Sequence, residues 1–351
     1  MTRDSAEISL INLAIEKALS KGASFYAYRA PDSDIPHFGA AESDNNGKSG
    51  FMVHPFSPEI EPIIISSDYS AQEYLNASET DSNCELPHIT DTCSTSKQQH
   101  ISALEATIKK IRRNQLTKVV ISRTEYHEHE FSAEFWSKVF ARLVKNYPKQ
   151  FVFIFNSQAT GAWIGATPEK FLKCMDNKVE TMALAGTQPL GTAAPWSQKD
   201  VTEQAIVRDY ILKNLQNCGI QNITQRTYTK PAGSIEHICT EFSGELETST
   251  NIDALLKALH PTPAICGMSK DAAYKHIIAT ETHQRTFYGG YIGPYKNSTD
   301  FDLYVNLRSL TFDNQGYLIF AGGGIISDRD PLAEWEETER KISNIKQYLN
   351  I

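Results

Sequence analysis

The sequence predicts an α+β fold built on large, mostly antiparallel sheets with helices packed on the outside. Three observations lead there. From about residue 151 onward, short apolar or alternating runs that read as strands follow one another with few helices between them. The regular strand–helix alternation of a doubly wound sheet is absent. Finally, 351 residues at 40% hydrophobic supply core material for one large domain or two ordinary ones.

The elements follow in order. The opening segment, MTRDSAEISLINLAIEKALSKG, interleaves charged and apolar residues and reads as an amphipathic helix. It lacks the unbroken apolar centre of a signal peptide. Short strands are expected at Ser24–Tyr28 and Pro62–Ile65. The stretch Ser66–Gln98, rich in Ser, Thr, Asp and Asn, reads as a surface excursion or linker. This divides the chain into an N-terminal lobe and linker, 1–98, and a second region, 99–351. Ile101, Leu104, Ile108 and Ile111 lie at helical spacing, predicting a helix over about Gln99–Arg113. Lys118–Ser122 is a strand. Ser132 caps a helix with Phe135, Val139 and Leu143 on one face. Strands are then predicted at Phe151–Phe155, Trp163–Ala166, Phe171–Cys174, Val179–Ala185, Thr227–Thr229, Ile235–Ser243, Phe287–Tyr295, Asp302–Thr311 and Tyr317–Ala321. Helices interrupt at about Gln198–Gln216, Asn251–Leu259, Lys270–Thr280 and Pro331–Tyr348.

Composition excludes some functions. The formal charge of −8 disfavours nucleic acid, whose phosphates call for clustered Lys and Arg. With a mean hydropathy of −0.38 and no window of 18 uncharged apolar residues, no membrane span is expected. Cys84, Cys93, Cys174, Cys218, Cys239 and Cys266 form no C-x-x-C pair, so free thiols and a cytoplasmic protein are expected, without a zinc site. Phosphate-binding glycine motifs and the metalloprotease and serine-hydrolase signatures are also missing.

Candidate chemistry rests on polar residues set among apolar ones. Lys118, before three β-branched residues, is either a solvated edge residue or a pocket lysine whose amine can act as a base once desolvated. Glu169 follows a Gly-Ala-Thr-Pro turn that either positions a carboxylate or leaves it in water. Glu203 borders the apolar stripe of its helix with Val207 and Tyr210. It either complements the helix dipole or needs a cation or metal as partner. Asp330-Pro331 starts the last helix, on which Glu334, Glu337 and Lys341 share a face. Those glutamates are either solvated or, with Glu203, oxygen ligands for Mg²⁺. The Gly322-Gly323-Gly324 run lets backbone N–H groups approach an anion. Arg308, inside DLYVNLRSLTF, is either on a wet strand face or a bidentate carboxylate clamp, and Arg285 and His237 pose the same choice.

Taken together, KVVISR, GATPE, ALAGT, HICTEFSGEL, LHPTPAICG, ETHQRTFYGGYIG, VNLRS, FAGGGI and AEWEETERK, in this order from Lys118 to the C-terminus, resemble the chorismate-utilising enzyme family. Within that family of isochorismate, anthranilate, aminodeoxychorismate and salicylate synthases, the resemblance is to the isochorismate synthases. It implies one large α+β domain that includes the loosely matching first hundred residues.

The resemblance also implies roles. Lys118 matches a general base that activates water, and Glu169 a general acid that protonates the leaving hydroxyl. Glu203 and Glu337, with Glu334 nearby, match Mg²⁺ ligands. Arg308, the Gly322 backbone and Lys341 match groups that hold the substrate carboxylates. His237 matches a pocket histidine, and Ala264 the small residue typical of isochorismate synthases. The implied reaction is Mg²⁺-dependent conversion of chorismate to isochorismate by water attack at C2 and loss of the C4 hydroxyl, feeding menaquinone or catecholate siderophore synthesis. The implied state is a monomer or weak homo-oligomer. Salicylate synthase and the ammonia-using synthases are the alternatives: the former usually show threonine where this chain has HPTPA, and the latter usually lack the lysine at Lys118. Two positions depart from the family pattern: Glu203-Gln204 stands where Glu-His is frequent, and Leu190 follows ALAGT-Gln-Pro where a basic residue is frequent.

Overall fold

The computed structural model describes residues 3–43, 46–77, 85–232, 235–247 and 251–349. In chain order these form α1 (Arg3–Ser20), β1 (Phe25–Arg29), β2 (His37–Ala40), β3 (Gly50–His54), β4 (Ile63–Ser66), α2 (Ala71–Asn76), α3 (Lys97–Arg112), β5 (Lys118–Glu128) and α4 (Ala133–Asn146). Next come β6 (Phe151–Asn156), β7 (Ala162–Thr167), β8 (Lys170–Met175), β9 (Lys178–Pro189), α5 (Gln198–Asn217), β10 (Gln221–Ala232), β11 (Ile235–Glu245) and α6 (Ile252–Leu259). The chain closes with β12 (Gly267–Met268), α7 (Lys270–Thr280), β13 (Tyr291–Asn297), β14 (Asp300–Val305), β15 (Ser309–Phe312), β16 (Gly316–Ile325) and α8 (Pro331–Leu349).

Two eight-stranded sheets result, ordered β12-β5-β16-β15-β7-β6-β1-β2 and β10-β11-β9-β8-β14-β13-β3-β4. The described strand pairs are antiparallel, as expected. The period-two alternation of strands explains the layering. In β6, Phe151, Phe153 and Phe155 join an aromatic core with Phe51 and Ile292 of the other sheet. Val152 and Ile154 point the opposite way, into a core with Ala14 and Ile15 of α1, Trp136 and Phe140 of α4, and Ile342 of α8. Likewise Tyr304 of β14 faces the first sheet, while Leu303 and Val305 meet Val207 and Ile211 of α5 and Leu255 of α6. The sheets thus form a sandwich with helices on its outer faces. Strands from the first hundred residues extend both sheets at one end.

Three strand readings need correction. The run Asp302–Thr311 is two strands in different sheets, parted at residues 306–308. The residues Phe287–Gly290 precede β13 as a turn in which Tyr288 N donates to Arg285 O. The polar strand β10 is far longer than Thr227–Thr229, because edge strands need no apolar pattern. The polar stretch after Ser66 holds α2, closed by a Ser70–Glu73 capping box, and its end is tied to β5 through Thr95 N to Thr124 O. Cys84 lies outside the described residues; Cys93, Cys174, Cys218, Cys239 and Cys266 are free thiols. Among the described residues, no helix is long and apolar enough to cross a membrane.

Candidate active site

Two sheet-crossing joints lie side by side. The β7–β8 joint carries Glu169, and the β14–β15 joint carries Arg308. They are stitched together by Val305 N donating to Glu169 O at 2.9 Å and Ala166 N donating to Arg308 O at 3.3 Å. Arg308 takes the left-handed conformation (φ 51°), unusual for a residue with a side chain. It is therefore at a bend, where the sequence reading had a continuous strand.

The joints open onto a cavity of about 140 Å³, roughly ten times the space one water needs. Lys118, Glu169, Glu203, His237, Ala264, Arg308, Gly322, Glu337 and Lys341 all line it. Of the site residues that the family resemblance implies, only Glu334 is set back from the wall. The solvated alternatives for Lys118 and Glu169 fail, since their relative exposures are 1% and 5%, and Glu203, buried at 6% and beyond the first turn of α5, is not there to complement the helix dipole.

On one side of the cavity is a chain of ion pairs. Lys118, the first residue of β5, reaches Glu203 Oε1 at 3.0 Å. Arg329, in the turn before α8, donates to Glu203 Oε2 at 2.7 Å and forms an ion pair with Glu334 Oε1 at 2.9 Å. The glycines of β16 make this possible by leaving space. A Cβ on Gly324 would lie 2.4 Å from Glu203 Oε1, and one on Gly323 would lie 2.9 Å from Glu334 Oε2. The glycine run thus makes room for carboxylates, and the Gly322 contact is its carbonyl, which accepts from Lys341 Nζ at 2.7 Å. Lys341 also pairs with Glu337 Oε1 at 2.8 Å. That ammonium holds the Glu337 carboxyl down at about 2. Glu334 is pushed the other way, to about 7, because burial outweighs Arg329.

On the other side, burial raises Glu169 to about 7 against the pull of Lys118, Lys230 and Arg308. His237 is lowered to about 4 by burial and the Arg308 guanidinium, so its ring is neutral at pH 7. The tautomer follows from its partners. Nδ1 lies 2.8 Å from Gly186 O, which can only accept, so Nδ1 carries the hydrogen. Nε2 is then the bare nitrogen that accepts from Arg308 Nη2 at 3.1 Å. Gly186, at φ 71°, turns its carbonyl to this task. Arg285, by contrast, is consumed structurally, pairing with Glu281 and donating to Ile265 O and Val120 O. Ser197 caps α5, and Asp330 caps α8 through the amides of Leu332 and Ala333, placing Glu203 and the Glu334–Glu337–Lys341 face as read from sequence.

Sequence reasoning missed Arg329 and Gly186. Arg329 sits in Ser-Asp-Arg-Asp, which looks like a surface turn; its one signal is a cation just ahead of an acidic helix start. The site's chemistry is legible from these contacts. Cationic side chains line a cavity in an acidic protein, a buried carboxyl can carry a proton at neutral pH, and a buried lysine faces the same space. Glu203 and Glu334 converge on a cation, the Arg329 guanidinium, and Glu334 Oε2 is buried without a partner. An all-carboxylate set of this kind fits a hard divalent ion, although among the described residues no three such ligands already converge on one point.

Residues 57–350 match the family described as chorismate binding enzyme. Isochorismate synthase 2 of Arabidopsis thaliana chloroplasts is 32% identical over 267 residues, 71% of this chain and 46% of that protein. Isochorismate synthase MenF of Haemophilus influenzae is 26% identical over 246 residues, 67% of this chain and 56% of that protein. The chain spans about half the length of the curated relatives it matches. The fold is that of MenF, the menaquinone-specific isochorismate synthase of Escherichia coli, with a TM-score of 0.79 over 96% of this chain and 91% of that one at 19% identity. A 2,3-dihydroxybenzoate-specific isochorismate synthase, DhbC of Bacillus anthracis, superposes with a TM-score of 0.74 over 96% of this chain and 99% of that one, also at 19% identity.

Proposed function

This chain belongs to the chorismate-binding enzyme family, and we propose that it converts chorismate to isochorismate. The observation that carries the reading is that Lys118 and Glu169, a buried amine and a buried carboxyl able to hold a proton, line the same small cavity. Lys118, in its neutral amine form, takes a proton from water as the water oxygen bonds to C2 of the ring. The two ring double bonds each move one position, and the C4–O bond breaks. Glu169 gives its proton to the departing C4 hydroxyl, which leaves as water. One water enters and one leaves, so the reaction is a net isomerisation.

Binding a dianion needs local positive charge despite the acidic chain. Arg308, oriented by the bare Nε2 of His237, is the clamp for one carboxylate. Lys341, held between Glu337 and the Gly322 carbonyl, places a second cation on the wall. Ala264 keeps its stretch of wall small. Glu203, Glu334 and Glu337 would hold Mg²⁺, which when bound neutralises the ring carboxylate and draws electron density through the conjugated system. On this reading the enzyme works in the cytoplasm as a monomer or weak homo-oligomer, and its product enters menaquinone or catecholate siderophore synthesis.

The test is product identity. Purified protein incubated with chorismate and Mg²⁺ should give isochorismate on chromatography, and none with a chelator. Salicylate with pyruvate, anthranilate or aminodeoxychorismate in the presence of ammonium, or untouched chorismate would each refute the assignment.

A further inference from the structure

The Arg329 guanidinium lies between the carboxylates assigned above to Mg²⁺. Its two Nη groups are spent on Glu203 Oε2 and Glu334 Oε1, at 2.7 and 2.9 Å. Its Nε is buried with no partner, as is Glu334 Oε2, so the bridge satisfies only part of each group. Glu203 and Glu334 are both nearly inaccessible to solvent. Buried carboxylates without a counter-cation are strongly unfavourable, and among the described residues Arg329 is the one cation that touches both, Lys118 reaching Glu203 alone.

We propose that Arg329 is a built-in counter-cation: it holds Glu203 and Glu334 in the metal-free protein and is displaced when a divalent cation binds them. This rests on the reading of Glu203, Glu334 and Glu337 as the metal carboxylates. Geometry supports exchange. Arg329 sits in the turn between β16 and α8, outside either element, and Arg329, Glu203 and Glu337 all line the open cavity, so the guanidinium has space to leave and a cation has a way in. Because both cations use the same oxygens, the apparent metal affinity is the intrinsic affinity reduced by the population in which Arg329 is closed. The arginine therefore acts as a positioning residue that sets the metal concentration at which the site fills.

The probe is Mn²⁺, titrated by electron paramagnetic resonance into chorismate-free protein. Arg329→Ala and Arg329→Met should bind Mn²⁺ at least about tenfold more tightly than the wild type. Arg329→Lys keeps the charge but cannot bridge two carboxylates, so it should also bind more tightly; if charge alone mattered it would match the wild type. In the absence of metal the Ala and Met variants should melt at lower temperature, and Mn²⁺ should raise their Tm by more than it raises that of the wild type. Circular dichroism verifies that each variant is folded, and the Lys variant serves if the others are not. Wild-type or weaker Mn²⁺ affinity in all folded variants overturns the proposal, as does failure of every variant to bind. Glu203→Gln and Glu337→Gln separate the two claims. If they weaken Mn²⁺ binding while the Arg329 variants leave it unchanged, the exchange alone is wrong. If they leave it unchanged, the metal site itself is wrong and the exchange falls with it.

Discussion

Lys118 Nζ stands 3.0 Å from Glu203 Oε1, with both side chains buried. The proposed base and a proposed metal ligand are thus one ion pair, so each substitution is felt by the other. Lys118→Ala should abolish isochorismate formation and leave Glu203 with Arg329 as its remaining cation. Losing one partner of a buried pair costs about 3–5 kcal/mol when nothing else compensates; with Arg329 present the loss in urea unfolding should fall below that. Lys118→Gln retains a neutral donor. It should be more stable than the Ala variant, equally inactive toward water, and able to form traces of aminated product with ammonium.

Glu169 should control both pH dependence and stability. Its folded value, about 7, lies above the ordinary 4.5, so the folded protein holds this proton more tightly than the unfolded chain does. Stability is therefore lost as pH rises from about 4.5 to about 7, and the deficit above that range is about 3 kcal/mol. Glu169→Gln, which mimics the protonated form, should be more stable than the wild type by up to that amount at pH 8 and by under about 1 kcal/mol at pH 5. It should make no isochorismate. In the wild type, kcat/KM should fall as pH rises through about 7, where the acid loses its proton.

Arg308 combines a carboxylate clamp with a strained backbone. Arg308→Ala should raise KM for chorismate at least about tenfold by removing a charge-assisted contact. Arg308→Gly should share that defect yet be more stable than the Ala variant by about 1–2 kcal/mol, because glycine adopts φ 51° without penalty. Equal stabilities in denaturant would show that the bend carries no strain.

Gly324 tests the space requirement. An added methyl would lie 2.4 Å from Glu203 Oε1, whereas the nearest atom to one on Gly322 is 3.3 Å away. Gly324→Ala should cut kcat by about a hundredfold or more through the displaced ion pair, while Gly322→Ala is milder. Steady-state kinetics on the two variants should give that order.

Much of this was legible in the residues. The run Phe151-Val152-Phe153-Ile154-Phe155 has apolar residues at every position because both faces of that central strand are covered, and it reads directly as a buried strand. Ser197 and Asp330 announce their helices through caps that the structure contains. The break at Arg308 was not legible: Leu-Tyr-Val-Asn-Leu-Arg-Ser-Leu has no Gly or Pro, and its left-handed residue is an arginine. Nor was Arg329, whose role depends on Glu203 of a distant helix. Such pairings are set by strand order, which local pattern does not encode; the family resemblance is what gathered Lys118, Glu169, Glu203 and Glu337 in advance.

The central claim is that Lys118 activates a water that becomes the C2 hydroxyl of the product. It is tested most directly by turning chorismate over in H₂¹⁸O with Mg²⁺ and locating the label by mass spectrometry and ¹³C nuclear magnetic resonance. The account predicts one ¹⁸O at C2 of isochorismate made by the wild-type protein and no product from Lys118→Ala. Isochorismate whose C2 oxygen is unlabelled, carried across from C4, or labelled product formed by Lys118→Ala at the wild-type rate, would contradict it.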